Sequence, residues 1–166
     1  LYSDGFDFSL VVWSDDLGRS WQAGDPIIAA GAVQPALAQR RDGTIVAFFR
    51  DNGPGPGRVW TCRSRDRGET WSRPTKTALP NPGSGVDVVA LRSGAWLLAN
   101  NDVEDGRRRL AIHISRDEGD TWSETRTVED SGADPDGSTF AYPSLIQART
   151  GAIHLTYTYR CPAGET

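Results

Sequence analysis

The segment "SRDEGDTW" at residues 115–122 decides the fold, because it is one of three copies of a single pattern. The other copies are "SDDLGRSW" at 14–21 and "SRDRGETW" at 64–71. All three fit Ser-x-Asp-x-Gly-x-x-Trp, and successive copies begin 50 and 51 residues apart. Four fixed positions that recur at a nearly constant period indicate a repeat architecture.

The sequence around each copy repeats as well, and its pattern predicts strands. A short β-rich run precedes each copy: "FSLVVW" at 8–13, "RVWTCR" at 58–63 and "RLAIHI" at 109–114. Pairs of strand-like runs divided by a glycine turn are "PALAQRRDGTIVAFFR" at 35–50, "VDVVALRSGAWLLAN" at 86–100 and "PSLIQARTGAIHLTYTYR" at 143–160. Alternating apolar residues and glycine turns favour antiparallel hairpins. No stretch has a sustained helical period, so we expect no α-helix.

Each repeat therefore contains four strands in about 50 residues, which is the length of a propeller blade. If the strands of a blade are numbered from the inside outward, the repeated segment lies in the turn between strands three and four. The expected fold is an all-β propeller of four-stranded antiparallel blades. The expected units are 1–30 (strands three and four of a first blade), 31–80 and 81–133 (full blades) and 134–166 (strands one and two of a last blade).

The three copies resemble the Asp-box, or BNR, repeats of the sialidase (neuraminidase) superfamily at every defining position. The segments "NPGSGVD", "AYPS" and "IHLTYTYR" resemble a divergent branch of sialidase-like proteins. The resemblance implies a six-bladed propeller, glycoside hydrolase chemistry and a substrate bound on the face opposite the boxes. Sialidases bind the carboxylate of sialic acid with three arginines, and they use an aspartate as acid/base and a glutamate-activated tyrosine as nucleophile.

The box residues themselves are expected to be structural. They are Ser14, Asp16, Gly18, Trp21, Ser64, Asp66, Gly68, Trp71, Ser115, Asp117, Gly119 and Trp122. The glycines allow a positive φ, the aspartates accept backbone N–H bonds across the turn, and the tryptophans pack between neighbouring sheets. The alternative is a calcium loop of the EF-hand type, but the later glutamate and the flanking helices of that motif are missing. We therefore expect no metal and no cofactor.

Function is expected at the face opposite the boxes, which the starts of strand one and the ends of strand two line. The candidate catalytic residues are Asp87, Tyr142 and Asp51, and the candidate substrate-binding residues are Arg50, Gln34, Asn81, Asn100, Arg160 and Tyr159. A ring of such residues suits an anionic sugar, because the guanidinium fork matches a carboxylate. Arg50 is the strongest candidate, since it ends the apolar run "TIVAFFR".

Other interpretations stay open for part of this set. Asn81, Ser84 and Asp102 are equally consistent with ordinary turn chemistry, and Asp51 is consistent with pairing to Arg50 or to a neighbour. The two histidines, His113 and His154, lie inside predicted strands, where a packed or solvent-facing role is commoner than a catalytic one.

The catalytic set of sialidases is incomplete in this sequence. The places of the family's Arg-Ile-Pro motif read Gln34-Pro35 and Tyr142-Pro143, so that arginine is missing. No glutamate has an evident inner position on the expected site face, because Glu104 is in a loop and Glu165 is terminal. Two functions therefore stay open: a sialidase-like glycosidase, and a non-catalytic carbohydrate-binding or protein-interaction module.

Composition narrows the function classes. The formal net charge of −4 argues against a nucleic-acid-binding protein. Cys62 and Cys161 lie outside any CxxC or Cys/His cluster, which argues against zinc and leaves a disulfide between them open. No apolar run approaches the length of a membrane span. The first residues, "LYSDGFDF", lack the basic and apolar regions of a signal peptide.

The predicted strands add up to three blades, whereas propellers have four to eight. A half-ring would leave two unpaired strand edges. Either the sequence is a piece of a longer chain, or two copies close a six-bladed ring as an isologous homodimer. We expect the homodimer, with a carbohydrate as the other partner.

Overall fold

A computed structural model describes residues 8–132 and 137–161 of the chain. All regular structure in these residues is β, and all strand pairs are antiparallel, which confirms the predicted all-β class. No helix in this part of the chain has the length and apolar character needed to span a bilayer. Glu165 and part of the predicted link at 134–143 lie outside the described residues.

The described residues contain fourteen strands. They are β1 (Phe8–Ser9), β2 (Val12–Trp13), β3 (Gln22–Ala23), β4 (Ile27–Ile28), β5 (Ala32–Gln39), β6 (Ile45–Asp51), β7 (Arg58–Ser64), β8 (Thr75–Pro80), β9 (Asp87–Ala90), β10 (Trp96–Asn101), β11 (Arg109–Ser115), β12 (Glu124–Asp130), β13 (Thr139–Gln147) and β14 (Ile153–Arg160).

The strands form meanders that repeat along the chain. Strands β5 to β8 form one four-stranded sheet in chain order, and β9 to β12 form a second. A hairpin of β13 and β14 follows, while β1 pairs with β4 and β2 with β3 ahead of the first full sheet. The first strands of successive sheets contact each other, β5 with β9 and β9 with β13. Neighbouring sheets thus pack face to face with their first strands side by side, as blades do.

The second strand of each full sheet is buried on both faces. Along β6, Val46 and Phe48 pack toward the following sheet, whereas Ala47 and Phe49 pack toward the preceding strands. Because side chains alternate along a strand, one apolar run supplies two cores. This explains why "IVAFF" reads as a continuous apolar stretch.

Strand β10 repeats this arrangement one sheet later. Trp96 and Leu98 join Phe48 in the core between the two full sheets. Leu97 and Ala99 face the other way and pack with Leu145 of β13. Burial of such a side chain stabilises the folded state by about 1.5–3 kcal/mol, so the contacts between sheets are strongly stabilising.

Each box forms a turn closed by side-chain hydrogen bonds, as residues 115–122 illustrate. The Ser115 hydroxyl accepts the Gly119 N–H at 2.8 Å and donates to Asp117 Oδ1 at 2.7 Å. Asp117 also accepts the backbone N–H of Thr121 at 2.8 Å and its hydroxyl at 2.5 Å. These Thr121 donors, with Ser115, lower the pKa of Asp117 to about 2. The carboxylate is therefore ionised at neutral pH and acts as a brace.

The other two boxes form the same turn. Asp16 and Asp66 accept the corresponding donors from Ser20 and Thr70, and the pKa of each is lowered to about 2. The residue before the glycine also takes a positive φ in every copy, 61° at Leu17, 67° at Arg67 and 56° at Glu118. The pattern had predicted this conformation for the glycines alone.

The box tryptophans differ in their surroundings. The Trp122 ring packs edge-on against Phe48 of the preceding sheet, with ring centroids 5.6 Å apart. Trp71 is partly buried against the preceding core, which contains Val11, Ala47 and Phe49. Trp21, by contrast, is 63% exposed, so the expectation of a buried ring is wrong at this position. The described residues contain no sheet before β1 against which that ring could pack.

The two cysteines are free thiols, Cys62 buried and Cys161 exposed, so no disulfide joins them. Burial raises the pKa of the Cys62 thiol to about 12. Since the thiolate is the reactive form of cysteine, Cys62 is an unreactive core residue.

Alanine substitutions at two glycines separate the cost of a positive φ from the cost of packing. Gly119 lies in a box turn, and Gly43 lies in the turn between β5 and β6. Gly119 and Gly43 have φ of 86° and 89°. A Cβ at Gly119 would lie 3.0 Å from the Trp96 ring and 3.1 Å from Phe48, whereas one at Gly43 meets nothing within 4 Å. Gly43→Ala should lower the free energy of unfolding by about 1 kcal/mol. Gly119→Ala should lower the free energy of unfolding by at least ~1 kcal/mol more than Gly43→Ala does, because its Cβ overpacks the core. Urea denaturation measures both, and equal losses would contradict this packing.

Candidate functional site

Two β-bulges lie near the start of the first strands of their sheets, at the end opposite the boxes. The register shifts between Val33 and Ala36 in β5 and between Ala141 and Ser144 in β13. Gln34 and Tyr142, the residues before the two prolines, have φ of 52° and 53°. Residues other than glycine seldom adopt this conformation, and such outliers cluster at functional sites.

Tyr142 lies over the start of the neighbouring strand. A Cβ added at Gly85, just before β9, would be 2.9 Å from Cδ1 of the Tyr142 ring. Only a residue without a side chain leaves room for the ring at this distance. Tyr142 is nevertheless 49% exposed, so its other side faces solvent.

Arg50 at the end of β6 is hydrogen-bonded to the first of these bulges. Its Nη1 donates to Gln34 Oε1 at 2.9 Å, which links the second strand of the sheet to the first. Its Nε and Nη2 both donate to Asn52 Oδ1, at 2.9 and 2.8 Å. Three hydrogen bonds thus fix the guanidinium, and its positive charge lowers the pKa of Tyr142.

Arg107 approaches Tyr142 from the loop between β10 and β11. Its guanidinium carbon lies 5.1 Å from the centre of the Tyr142 ring, within cation–π range. The backbone carbonyl of Arg107 accepts the Phe140 N–H at 2.8 Å, which ties this loop to β13 two residues before Tyr142. The loop is therefore positioned by the same strand that carries the tyrosine.

The site has two cations, and no acid among the described residues forms an ion pair with either of them. The Arg107 guanidinium, and to a smaller extent Arg50, lowers the pKa of the Tyr142 phenol. Among the described residues, neither arginine takes part in an ion pair. Most other described arginines are paired with carboxylates: Arg40, Arg41, Arg58, Arg63, Arg67, Arg109, Arg116 and Arg126. Arg50, Arg107 and Tyr142, with Gln34 and Gly85, are called the arginine–tyrosine site below.

Asp51 lies next to this site but points into the protein. It is 3% exposed, and its carboxylate accepts the N–H groups of Gly53 and Arg58 and pairs with Lys76 at 2.8 Å. Burial by itself would raise the pKa of Asp51, but Lys76 and these backbone donors hold it below the ordinary value. The geometry makes Asp51 an ionised brace for the loop after β6, and its catalytic role stays a prediction.

Asn81 has no exposed surface, because its side chain holds two loops together. Its Oδ1 accepts the N–H groups of Asp51 at 3.1 Å and Gly83 at 3.0 Å, and its Nδ2 donates to the Ser84 carbonyl at 2.8 Å. This is the turn chemistry that the sequence had left open. No face of the side chain is available for the predicted contact with a substrate.

Asn100 is fully buried as well. Its Nδ2 donates to the Pro80 carbonyl at 2.6 Å, and its Oδ1 lies 2.8 Å from Nε2 of His113. The other ring nitrogen of His113 lies 2.9 Å from the Thr125 hydroxyl. Burial lowers the pKa of His113, so the imidazole is neutral and packed, as interpreted from the sequence. This placement likewise leaves Asn100 without a surface for a ligand.

Asp87 connects two first strands. Its Oδ2 accepts the backbone N–H of Leu145 at 2.6 Å, which joins the start of β9 to β13. The bond holds β13 beside Gly85, where Tyr142 needs it. Asp87 therefore supports the arginine–tyrosine site, and its predicted part in catalysis stays a prediction.

Comparison with known proteins gives the chain its family. A model of the BNR repeat-like domain matches residues 3–155. The chain belongs to the BNR repeat-like domain family.

Relatives of this BNR repeat-like chain include sialidases. A sialidase of Micromonospora viridifaciens is 26% identical over 166 residues, covering 90% of this chain and 25% of that protein. A sialidase of Paraclostridium sordellii is 28% identical over 131 residues, which cover 68% of this chain and 31% of that protein. The structure of NanB sialidase from Streptococcus pneumoniae matches with a TM-score of 0.72 and 24% identity, covering 92% of this chain and 24% of that one. The resemblance to the sialidase superfamily is confirmed, and the chain spans about a quarter of the first relative.

The BNR repeat-like chain does contain a tyrosine–glutamate pair, but outside the arginine–tyrosine site. The Tyr157 hydroxyl on β14 donates to Glu129 on β12. The carboxylate raises the pKa of Tyr157, so this phenol is held protonated. The pair connects neighbouring sheets, and the Tyr157 ring packs edge-on against Phe140 at 6.2 Å.

Tyr159 and Arg160 lie at the end of β14, and both are exposed. The Tyr159 hydroxyl is 2.9 Å from the Ser138 hydroxyl, and its ring packs on Phe140 at 5.3 Å. The contacts of the described residues do not join either one to Arg50 or Tyr142. Their predicted role in substrate binding stays a prediction.

A cleft lies at the box end of the sheets. It has a volume of about 500 Å³ and is lined by Arg40, Arg116 and Asp120, among others. Each cation that lines it is paired with a carboxylate, Arg40 with Asp120, Arg41 with Glu118 and Arg116 with Glu124. We therefore assign the candidate site to the opposite end, where the guanidinium groups are unpaired.

A tyrosine titration tests the electrostatics of the site. Arg107→Ala should raise the pKa of Tyr142 toward its ordinary value of 10.0, because the cation that stabilises the phenolate is lost. Ultraviolet difference absorbance of the phenolate, corrected with the Tyr142→Phe variant, measures the shift. Arg108→Ala, in the same loop, is the matched control. An unchanged Tyr142 titration in Arg107→Ala would contradict the described contact.

Proposed function

We propose that this chain belongs to a sialidase-like propeller that acts on or binds an anionic carbohydrate at the arginine–tyrosine site. The observation that supports this function is the convergence of two unpaired guanidinium groups, Arg50 and Arg107, on one exposed tyrosine. The sialidase relatives in the same family add support at the level of the substrate class.

The chemistry of the site favours an anionic ligand over a neutral one. Arg50 is held in place by Gln34 and Asn52, so binding an anion would not require ordering a free side chain. A carboxylate between Arg50 and Arg107 would form charge-assisted hydrogen bonds, which are about twice as strong as neutral ones. The half-exposed Tyr142 ring and the Gln34 amide would contact the sugar itself.

Catalysis and binding place different demands on Tyr142. The low pKa imposed by Arg107 and Arg50 favours its phenolate, which is the form a nucleophile requires. The carboxylates of Asp51 and Asp87 accept hydrogen bonds from protein groups, so a role as general acid would require one of them to leave these donors. The alternative function is therefore a non-catalytic carbohydrate-binding module on the same scaffold.

Binding and turnover of a sialoside distinguish these functions. Arg50→Ala and Arg107→Ala should each weaken binding of a methyl thiosialoside at least about tenfold in calorimetry, because each removes a charged hydrogen bond. Arg108→Ala should bind like the parent protein. A fluorogenic sialoside then reports turnover: cleavage that Tyr142→Phe abolishes supports the glycosidase, and binding without cleavage supports the module. Unchanged affinity in both arginine variants would overturn the proposed site.

We further propose that two copies associate into a six-bladed ring. The support is complementarity of the described parts: β13 and β14 form an inner hairpin, whereas β1 to β4 supply outer-strand pairs. Ile153 and Tyr159 of β14 are 44% and 52% exposed, which leaves apolar surface for a partner sheet. Light scattering coupled to size-exclusion chromatography should give twice the mass of one chain. The mass of a single well-folded chain would contradict the homodimer.

A further inference from the structure

The loop between β6 and β7 carries Asn52, the residue whose Oδ1 accepts two hydrogen bonds from the Arg50 guanidinium. Most residues of this loop are exposed. Its two prolines, Pro54 and Pro56, lack the backbone N–H that could anchor it. Their carbonyl oxygens anchor it instead, because both accept hydrogen bonds from Nζ of Lys76, at 3.4 and 2.9 Å. The loop is thus tied to a residue outside it.

Lys76 is the only lysine in the sequence, and its ammonium group is surrounded by acceptors. Besides the two proline carbonyls, Nζ lies 2.8 Å from Oδ2 of Asp51. It also lies 5.2 Å from the centre of the Trp60 ring, within cation–π range. An ammonium group has three N–H donors, so these three oxygens use all of them. The side chain therefore acts as a cation that joins the loop to Asp51.

Asp51 extends this contact to both ends of the loop. Its carboxylate has no exposed surface, and it accepts the N–H groups of Gly53, next to Asn52, and of Arg58, the first residue of β7. Lys76 is its ion-pair partner among the described residues. Without the ammonium, the buried carboxylate would take up a proton or turn toward water, because an unpaired buried charge is costly. Either change weakens the two N–H bonds that shape the loop.

Lys76 reaches the loop across the sheet. It lies on β8 opposite Trp60 of β7, whereas Asp51 ends β6. Neighbouring strands are about 4.8 Å apart, so β8 and β6 are separated by roughly 10 Å. The long lysine side chain crosses β7 to close this distance. The outermost strand of the sheet is thereby connected to a site at the ends of the first two strands.

We propose that Lys76 is a positioning residue for Arg50. Its ammonium fixes the loop through Asp51 and the proline carbonyls, and the loop in turn presents Asn52 to the guanidinium. Lys76 acts through these residues and does not itself contact the ligand. Its importance for ligand binding rests on the proposed function, whereas its effect on the orientation of Arg50 does not.

Hydrogen exchange of the Arg50 Nε–H, followed by NMR of isotope-labelled protein, tests this role without a ligand. The signal is assigned by its loss in Arg50→Lys. Lys76→Met should accelerate its exchange at least about tenfold, because open states of the loop become more populated. Asn52→Ala, which removes the acceptor itself, is the positive control and should give a similar acceleration. Thr75→Ala, an exposed neighbour on β8, is the negative control and should leave the exchange unchanged.

Chemical rescue separates the role of the charge from that of packing. Lys76→Ala removes the propylammonium part of the side chain, so added propylammonium ion should restore slow exchange at Arg50 by re-forming the charged hydrogen bonds. The neutral n-propanol has a similar size and one hydroxyl donor, and it should not restore slow exchange. If Lys76→Met does not fold, Lys76→Ala is refolded with propylammonium, and exchange at Arg50 must rise when the amine is diluted.

Two results of these exchange measurements overturn the positioning role. The first is unchanged exchange at Arg50 in folded Lys76→Met. The second is equal rescue of Lys76→Ala by propylammonium and by n-propanol, since the cation would then have no special part.

Calorimetry with the methyl thiosialoside measures the consequence for binding. Lys76→Met should weaken binding severalfold, but it should have no further effect in the Arg50→Ala background, because its effect passes through Arg50. An equal loss of affinity in both backgrounds would contradict the role in binding. If exchange at Arg50 rises as expected but the parent protein does not bind the sialoside, the proposed function fails and the positioning of Arg50 by Lys76 stands.

Discussion

The arrangement of the sheets depends on the hydrogen bonds made by the serine hydroxyl at the start of each box. Ser115 has no exposed surface, and its single oxygen accepts from the Gly119 N–H and donates to Asp117. These bonds hold Gly119 against Trp96 and Phe48, where no larger residue fits. The turn thereby fixes how one sheet packs on the next. Because the sheets are stiff, the same packing determines which residues meet at their opposite ends.

Sequence periodicity predicted the scaffold well, because repetition and burial both leave a local pattern. The runs "IVAFF" and "WLLAN" became β6 and β10, buried on both faces. The same reasoning reached Arg50, Gln34 and Tyr142, since each lies at a strand end opposite the boxes. Their mutual contacts depend on bulges at two X-Pro steps, and the sequence shows the prolines but not the left-handed residues before them.

Residues that act through non-local contacts were less predictable. Arg107 is one of three consecutive arginines, and a non-local bond from the Phe140 N–H to its carbonyl holds it near Tyr142. Gly85 was hidden within a loop that reads as ordinary turn sequence. Asn81 and Asn100 are residue types suited to a sugar site, yet their amide groups are already hydrogen-bonded inside the protein. Asn81 bonds to backbone groups, and Asn100 bonds to a backbone carbonyl and to His113. A polar residue at a strand end serves the backbone as readily as a ligand.

In the proposed function, the ends of the sheets opposite the acidic boxes, and not the boxes themselves, hold the ligand. A crystal structure of the protein with a methyl thiosialoside tests it most directly. We predict the sugar carboxylate within hydrogen-bonding distance of Arg50 and Arg107, with the ring against Tyr142. A sialoside bound instead between Arg40 and Arg116 at the box end, with Arg50 and Arg107 uncontacted, would contradict the account.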